Sequence, residues 1–204
     1  MSSKYAILLD GGFVTKKLQR QLKHFPAATD VERECQRIAE HPLLANRDLL
    51  RIYFYDAAPA KDKLINPIDG SALDLSATPE FRDHMSLLDT LELTPNFAVR
   101  RGEVVAHGWK LGSRAFKNMM KSPRAPAGND IVPDLEQKGV DLRIGLDIAR
   151  LALRELVDII VVVTGDSDLV PAFRFARREG VRVFLDHMGH GVRRDLKAHA
   201  DIII

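Results

Sequence analysis

Ile159-Ile-Val-Val-Val-Thr-Gly-Asp-Ser-Asp168 constrains the fold more than any other stretch of this chain. Five β-branched residues in a row predict a strand buried on both faces, as found inside a parallel sheet. The run stops at Thr164-Gly165, and Asp166 and Asp168 follow at once. Open α/β sheets bind ligands outside the carboxyl ends of their strands. Two acids at that place suit a hard divalent cation such as Mg²⁺ or Mn²⁺, which prefers oxygen ligands. The same residues also fit a plainer role. Asp168 would make a good N-cap for Leu169-Val-Pro-Ala-Phe, with Pro171 tolerated in the first turn, and Asp166 would cap or brace the turn.

The remaining elements alternate. Tyr5–Leu9 predicts a central strand ended by Asp10-Gly11-Gly12, followed by a helix over 13–22. A second helix is predicted over 30–43 with Asp30 as N-cap, and a strand over 49–55. Residues 59–78 are expected to form a loop. Thr78-Pro-Glu opens a helix to about Leu93, and 97–106 predicts one or two strands around Gly102. Val140–Leu156 is apolar on almost every side, which predicts a buried helix. A strand over 157–164, a helix over 168–179 closed by Gly180, a strand over 181–185, a helix over 192–200 and a last strand from Asp201 complete the pattern. Strands alternating with helices imply a mostly parallel sheet covered on both faces. At 204 residues the chain is expected to form a single domain, 1–204.

Composition limits the alternatives. Net charge is only +2, so the balance alone does not announce a nucleic-acid binder. One cysteine, Cys35, excludes an intramolecular disulfide framework and a Cys-based zinc site. No apolar run approaches the ~20 residues of a membrane span, and the N-terminus lacks a signal-peptide profile. A cytoplasmic protein is expected; a homo-oligomer stays open.

Acids recur at predicted strand ends and helix starts. Asp10 ends the first strand. Asp141 opens the buried helix, on the same sheet edge as Asp166 and Asp168. Asp147 lies about 9 Å further along that helix, rotated by roughly 120°. It reaches the others only if the cluster extends down the helix, and Arg143 and Arg150 are its structural alternatives. Carboxylates packed together repel each other unless a cation intervenes. A bound cation of this kind can generate a nucleophile from water and clamp a phosphoryl group.

Three segments, Leu8-Leu-Asp10-Gly-Gly, Gln137-Lys-Gly-Val-Asp141 with Asp147 downstream, and Thr164-Gly-Asp-Ser-Asp168 followed by Pro171, carry a resemblance. The chain resembles the NYN domains, specifically the LabA-like branch of the PIN-like nucleases. The closing Asp201-Ile-Ile-Ile is similar too. The resemblance implies a Rossmann-like α/β/α sandwich and metal-dependent cleavage of RNA. It implies Asp10, Asp141, Asp166 and Asp168 as catalytic metal ligands, with Asp147 a further candidate. Many members carry Asn a few residues after the first Asp; Asp10-Gly-Gly-Phe-Val14 has none.

Several residues are weaker candidates for substrate contact. Lys138 could neutralise phosphate, and Thr164 and Ser167 could touch phosphate or bound water. Lys110, Arg114 and Lys117, near Trp109 and Phe116, could hold an RNA strand by charge and stacking; a solvated face is the alternative. Arg193, Arg194 and Lys197 carry less weight. A haloacid-dehalogenase-like phosphatase would need a second Asp where Gly12 stands. A catalytically weak or inactive RNA-binding module of the same fold is the stronger rival.

Overall fold

Strands that are apolar on both faces require a neighbour on each edge and a layer on each side. The computed structural model describes residues 3–204 and satisfies that demand. Its strands are β1 (Lys4–Asp10), β2 (Asp48–Ala57), β3 (Lys63–Ile65), β4 (Ala72–Asp74), β5 (Phe97–Leu111), β6 (Ile131–Lys138), β7 (Ile159–Val163), β8 (Arg182–Asp186) and β9 (Ile202–Ile203). Its helices are α1 (Gly11–Leu22), α2 (Ala28–Ala39), α3 (Pro79–Leu93), α4 (Ser113–Lys121), α5 (Val140–Leu153), α6 (Val170–Arg178) and α7 (Arg194–Ala198).

The main sheet runs β6-β5-β2-β1-β7-β8-β9. Every pair is parallel except β5–β6. β1 and β7 lie side by side at its centre, Leu8 opposite Val162. Successive side chains of a strand point to opposite faces, and the two cores follow that rule. Ile7, Leu9, Phe54, Val161 and Val163 face α1, α2 and α3. Ala6, Leu8, Tyr55, Ile160 and Val162 face α5 and α6. The result is the expected three-layer α/β/α sandwich with a mostly parallel, PIN-like sheet.

Three local expectations are corrected, and a fourth, the choice between one and two strands around Gly102, is narrowed to one. Residues 59–78 contain the small antiparallel hairpin β3–β4. Asp30 sits inside α2 rather than before it, and its carboxylate accepts from Ala27 N at 2.8 Å, capping the helix from its first turn. β5 is one strand of 15 residues, and β6 pairs antiparallel with its distal half. α5 is not buried all round: Leu142, Leu146 and Leu153 are exposed, while Ile144, Ile148 and Leu151 are fully covered. Among the described residues no helix is long and apolar enough to cross a membrane.

Candidate active site

β1, β2 and β7 release their chains at the same sheet edge, and α1 and α5 start there. Asp10 is the last residue of β1 and the N-cap of α1. Its Oδ1 accepts from Phe13 N at 3.1 Å and its Oδ2 from Thr164 Oγ1 at 3.0 Å. Gly11 lets α1 begin hard against β2: a Cβ there would lie 2.7 Å from Tyr55 O. Thr164 is fully buried, and its hydroxyl also accepts from Asp166 N at 3.1 Å. One hydroxyl thus ties the end of β1 to the turn after β7. In that turn Asp166 Oδ1 accepts from Asp168 N at 2.8 Å. Asp166 is therefore the cap of a short 3-10 turn, Ser167–Leu169, and Asp168 lies within it.

Asp141 stands in the first turn of α5, after Gly139 turns the chain at φ 76°. Asp10, Asp141, Asp166, Asp168 and Ser167 line one open cleft of about 720 Å³. The electrostatics follow from this crowding. Burial chiefly lifts the Asp10 carboxyl from 3.8 to about 6, against the two hydrogen bonds it accepts; the charges of Asp141 and Asp56 push the same way. Asp141 is raised as well, by burial and then by Asp166 and Asp168. The donor set is all oxygen, which suits a hard divalent cation. Even so, among the described residues no three acidic, His or Cys side chains stand close enough together to hold an ion as they are.

Other candidates lie outside the cleft. Asp147 accepts from Tyr55 Oη at 2.9 Å and pairs with Arg100 Nε at 3.1 Å; its partner comes from β5, not from its own helix. Rotation along α5 has turned it onto the sheet. Lys138 is drawn to Glu136 at 3.4 Å, and Thr164 is enclosed. Beyond Gly102, β5 and β6 leave the sheet as a two-stranded ribbon. Lys110 is eight residues past Gly102, about 27 Å along a strand, and pairs with Asp134 at 2.6 Å. Arg114 and Lys117 are on α4, beyond the ribbon's end. Replacing Asp147 with Ala should leave the Tyr55 hydroxyl without its partner and cost about 1–3 kcal/mol. Manganese-induced shifts in melting temperature should stay as in the wild type; a lost shift would return Asp147 to the metal site.

The cleft also holds residues outside the acidic set. Lys16, Gln137, His190 and Arg193 line it; of these only Lys16 carried no signal in the sequence. Gln137 is held from behind: its Nε2 donates to Asp56 Oδ1 at 3.1 Å, and Asp56, almost wholly buried, also bonds His84 Nε2 at 2.9 Å and Ala57 N. The Gln137 carbonyl is thereby left beside Gly12. Asp56 is the residue just after the strand expected over 49–55, and nothing in the sequence joins it to residue 137.

Comparison with known proteins gives a family and a fold. The family described as NYN domain matches residues 6–204. A crystal structure of a Vibrio parahaemolyticus protein of unknown function is similar at a TM-score of 0.55 and 16% identity, covering 100% of this chain and 92% of that one. No curated protein matches the chain.

Proposed function

This chain belongs to the NYN domain family, within the PIN-like nuclease superfamily, and from that premise we propose a metal-dependent ribonuclease that hydrolyses RNA phosphodiester bonds. We place it in the LabA-like branch on its three motifs. The observation that carries the proposal is the meeting of Asp10, Asp141, Asp166 and Asp168 in one cleft at the carboxyl edge of the sheet. These four residues would hold Mg²⁺ or Mn²⁺. The cation, when bound, supplies positive charge to the reacting phosphate and acidifies water.

The chain's own groups prepare the cleft. Thr164 fixes the rotamer of Asp10 and the backbone of Asp166 together, so two acids from separate strands keep one spacing. Asp56 fixes Gln137, whose free carbonyl can accept from a ribose hydroxyl or a water. Lys16 and Arg193 bring positive charge to an otherwise acidic cleft. Ser167 offers a hydroxyl beside Asp166 and Asp168. Lys110, far out on the ribbon, and Arg114 and Lys117, on α4 beyond its end, serve affinity for a long strand and not the reacting phosphate.

The test is cleavage of single-stranded RNA of mixed sequence with Mg²⁺ or Mn²⁺, against EDTA and against Asp166→Asn. Cation-dependent cleavage that the variant lacks is the expected result. Equal cleavage by both proteins at matched purity would sink the proposal. A second reading, an RNA-binding module without turnover, draws on the carboxylates' failure to form a ready trio. It predicts RNA binding with no cleavage under any of these conditions.

A further inference from the structure

A second cavity, of about 430 Å³, opens at the opposite edge of the sheet, where α6 ends and β8 begins. Arg174, Arg177, Arg178 and Arg182 line it, with His199 and one acid, Asp201. That acid is already engaged, by Arg177 at 2.9 Å and by Val183 N. The nearby Asp195 is taken by His199 at 3.2 Å. Glu179, next in sequence to Arg178, does not line the cavity. Among the described residues Arg174, Arg178 and Arg182 make no ion pair; Arg182 lies over the Phe184 ring, 5.3 Å from its centroid.

The cavity is joined to the acidic cleft. α7 packs on the 3-10 turn Ser167–Leu169. The residue before it, Arg193, lines the cleft, and the residue after it, His199, lines the second cavity. Between them stand Arg194 and Lys197, both exposed. α6 joins parallel β7 and β8 as α7 joins β8 and β9, so both helices run from the cleft edge to the opposite edge; α6 is about 14 Å long, with Arg174 and Arg178 one turn apart and exposed. A band of cations thus leads from the cleft to the cavity on a surface whose acids are few and mostly paired.

We propose that this band is a phosphate track, holding the backbone of the same RNA strand whose scissile phosphate lies in the cleft. The proposal rests on the ribonuclease reading and adds where the rest of the substrate goes. Arginine is the residue suited to it, because a planar guanidinium takes phosphate oxygens two at a time. Among the described residues no Phe, Tyr or Trp lines the cavity, so the contact is chiefly to the backbone phosphates, which carry no sequence information.

The test uses the full chain in EDTA, so that binding is read without cation-dependent cleavage. Fluorescence anisotropy compares oligouridylates of about 4 and about 12 nucleotides, within the range of strand footprints seen for single-strand binders. The triple variant Arg174→Gln, Arg178→Gln, Arg182→Gln should bind the longer oligomer about 10-fold or more weakly. The slope of log affinity on log salt should fall by about 2, from three lost phosphate contacts at ~0.7 each. Binding of the shorter oligomer, and its cleavage when Mn²⁺ is restored, should stay as in the wild type. The triple Arg→Lys variant, with the charge kept, should recover the salt slope, which separates phosphate contact from damage to the fold. An unchanged slope in the Gln variant overturns the track and leaves the ribonuclease reading standing. If the wild type binds neither oligomer, that reading falls and the track with it. Arginine-dependent binding to phosphatidylserine vesicles, with RNA binding unaffected, assigns the surface to a membrane and overturns the proposal.

Discussion

Asp10→Asn should remove cleavage by about 100-fold or more while making the cation-free protein more stable at pH 7.5. The two effects have one cause. Asp10 is half-buried at the base of a crowded cleft, where its charge is costly: desolvation first, then Asp141 and Asp56, raise its carboxyl to about 6. The rise from 3.8 corresponds to about 3 kcal/mol at most, at ~1.4 kcal/mol per tenfold change in proton affinity. Asn keeps the size of the side chain and is as good an N-cap as Asp, so the bond from Phe13 N survives. It deletes the negative charge that a divalent cation needs. Changes to the outer partners of metal ligands already cost about 10–100-fold, and loss of a ligand should cost at least the upper end.

The sign of the pH dependence separates this from a trivial gain in stability. A carboxyl whose folded pKa lies above its unfolded value binds more protons folded than unfolded between about pH 4 and 6. Its contribution to stability therefore declines as pH rises through that window, and above it the penalty is complete. The melting temperatures of wild type and Asp10→Asn should coincide below about pH 4 and diverge up to about pH 6.5. The variant should end higher by at most roughly 6–12 °C, taking ~2–4 °C per kcal/mol for a chain of this size. Saturating Mn²⁺ should narrow or reverse the gap, because only the wild type then gains the full binding energy. Parallel pH curves for the two proteins would mean that Asp10 carries no such penalty.

Much of this site was legible because its acids end strands whose burial on both faces writes an unbroken apolar run. Ile159–Val163 and Tyr5–Leu9 announce themselves in that way, and the positions of Asp10 and Asp166 follow. Helix faces are harder to read. Asp147 had arginines at both helical spacings, yet it is Arg100 of β5 that pairs with it, because tertiary packing chose the side of α5 that meets the sheet. Asp168, expected as the N-cap of the helix, instead lies inside a short turn that Asp166 caps. The chain inserts a 3-10 turn before α6, and a turn of three residues leaves no period to detect. β6 was missed for a different reason. Ile131–Lys138 is an edge strand with Pro133, Asp134, Glu136 and Lys138, and an edge exposed to water needs no apolar alternation. With β6 unseen, the ribbon was unseen too, and Lys110, Arg114 and Lys117 could not be placed away from the cleft. The support of Gln137 by Asp56 spans 81 positions and leaves no local signature.

Gly11→Ala should destabilise the protein by about 1–3 kcal/mol or more, although helix propensity alone argues for the opposite. Gly11 opens α1, where Ala is favoured over Gly by roughly 1 kcal/mol in a helix interior. Its backbone needs no left-handed conformation. Contact decides the sign. The added Cβ would stand 2.7 Å from Tyr55 O, 2.8 Å from the Asp56 Cβ and 2.8 Å from Phe54 Cε1. The carbonyl and the Cβ belong to β2, a strand paired on both edges, so neither can step aside cheaply. The strain must be relieved by lifting the start of α1 away from the sheet. That displaces the N-cap Asp10 and loosens the contacts that hold Asp56 against Gln137. Cleavage should therefore fall more than the loss of folded protein explains, even at temperatures where the variant is fully folded. Gly12→Ala is the internal control. Its Cβ would meet nothing nearer than Gln137 Oε1 at 3.4 Å, the far end of a flexible side chain, so its melting temperature should stay within about 2 °C of the wild type, ~0.5 kcal/mol. Should Gly11→Ala melt at or above the wild type, α1 does not meet β2 as closely as described, and the shared origin of the Asp10 and Asp56 positions would have to be abandoned.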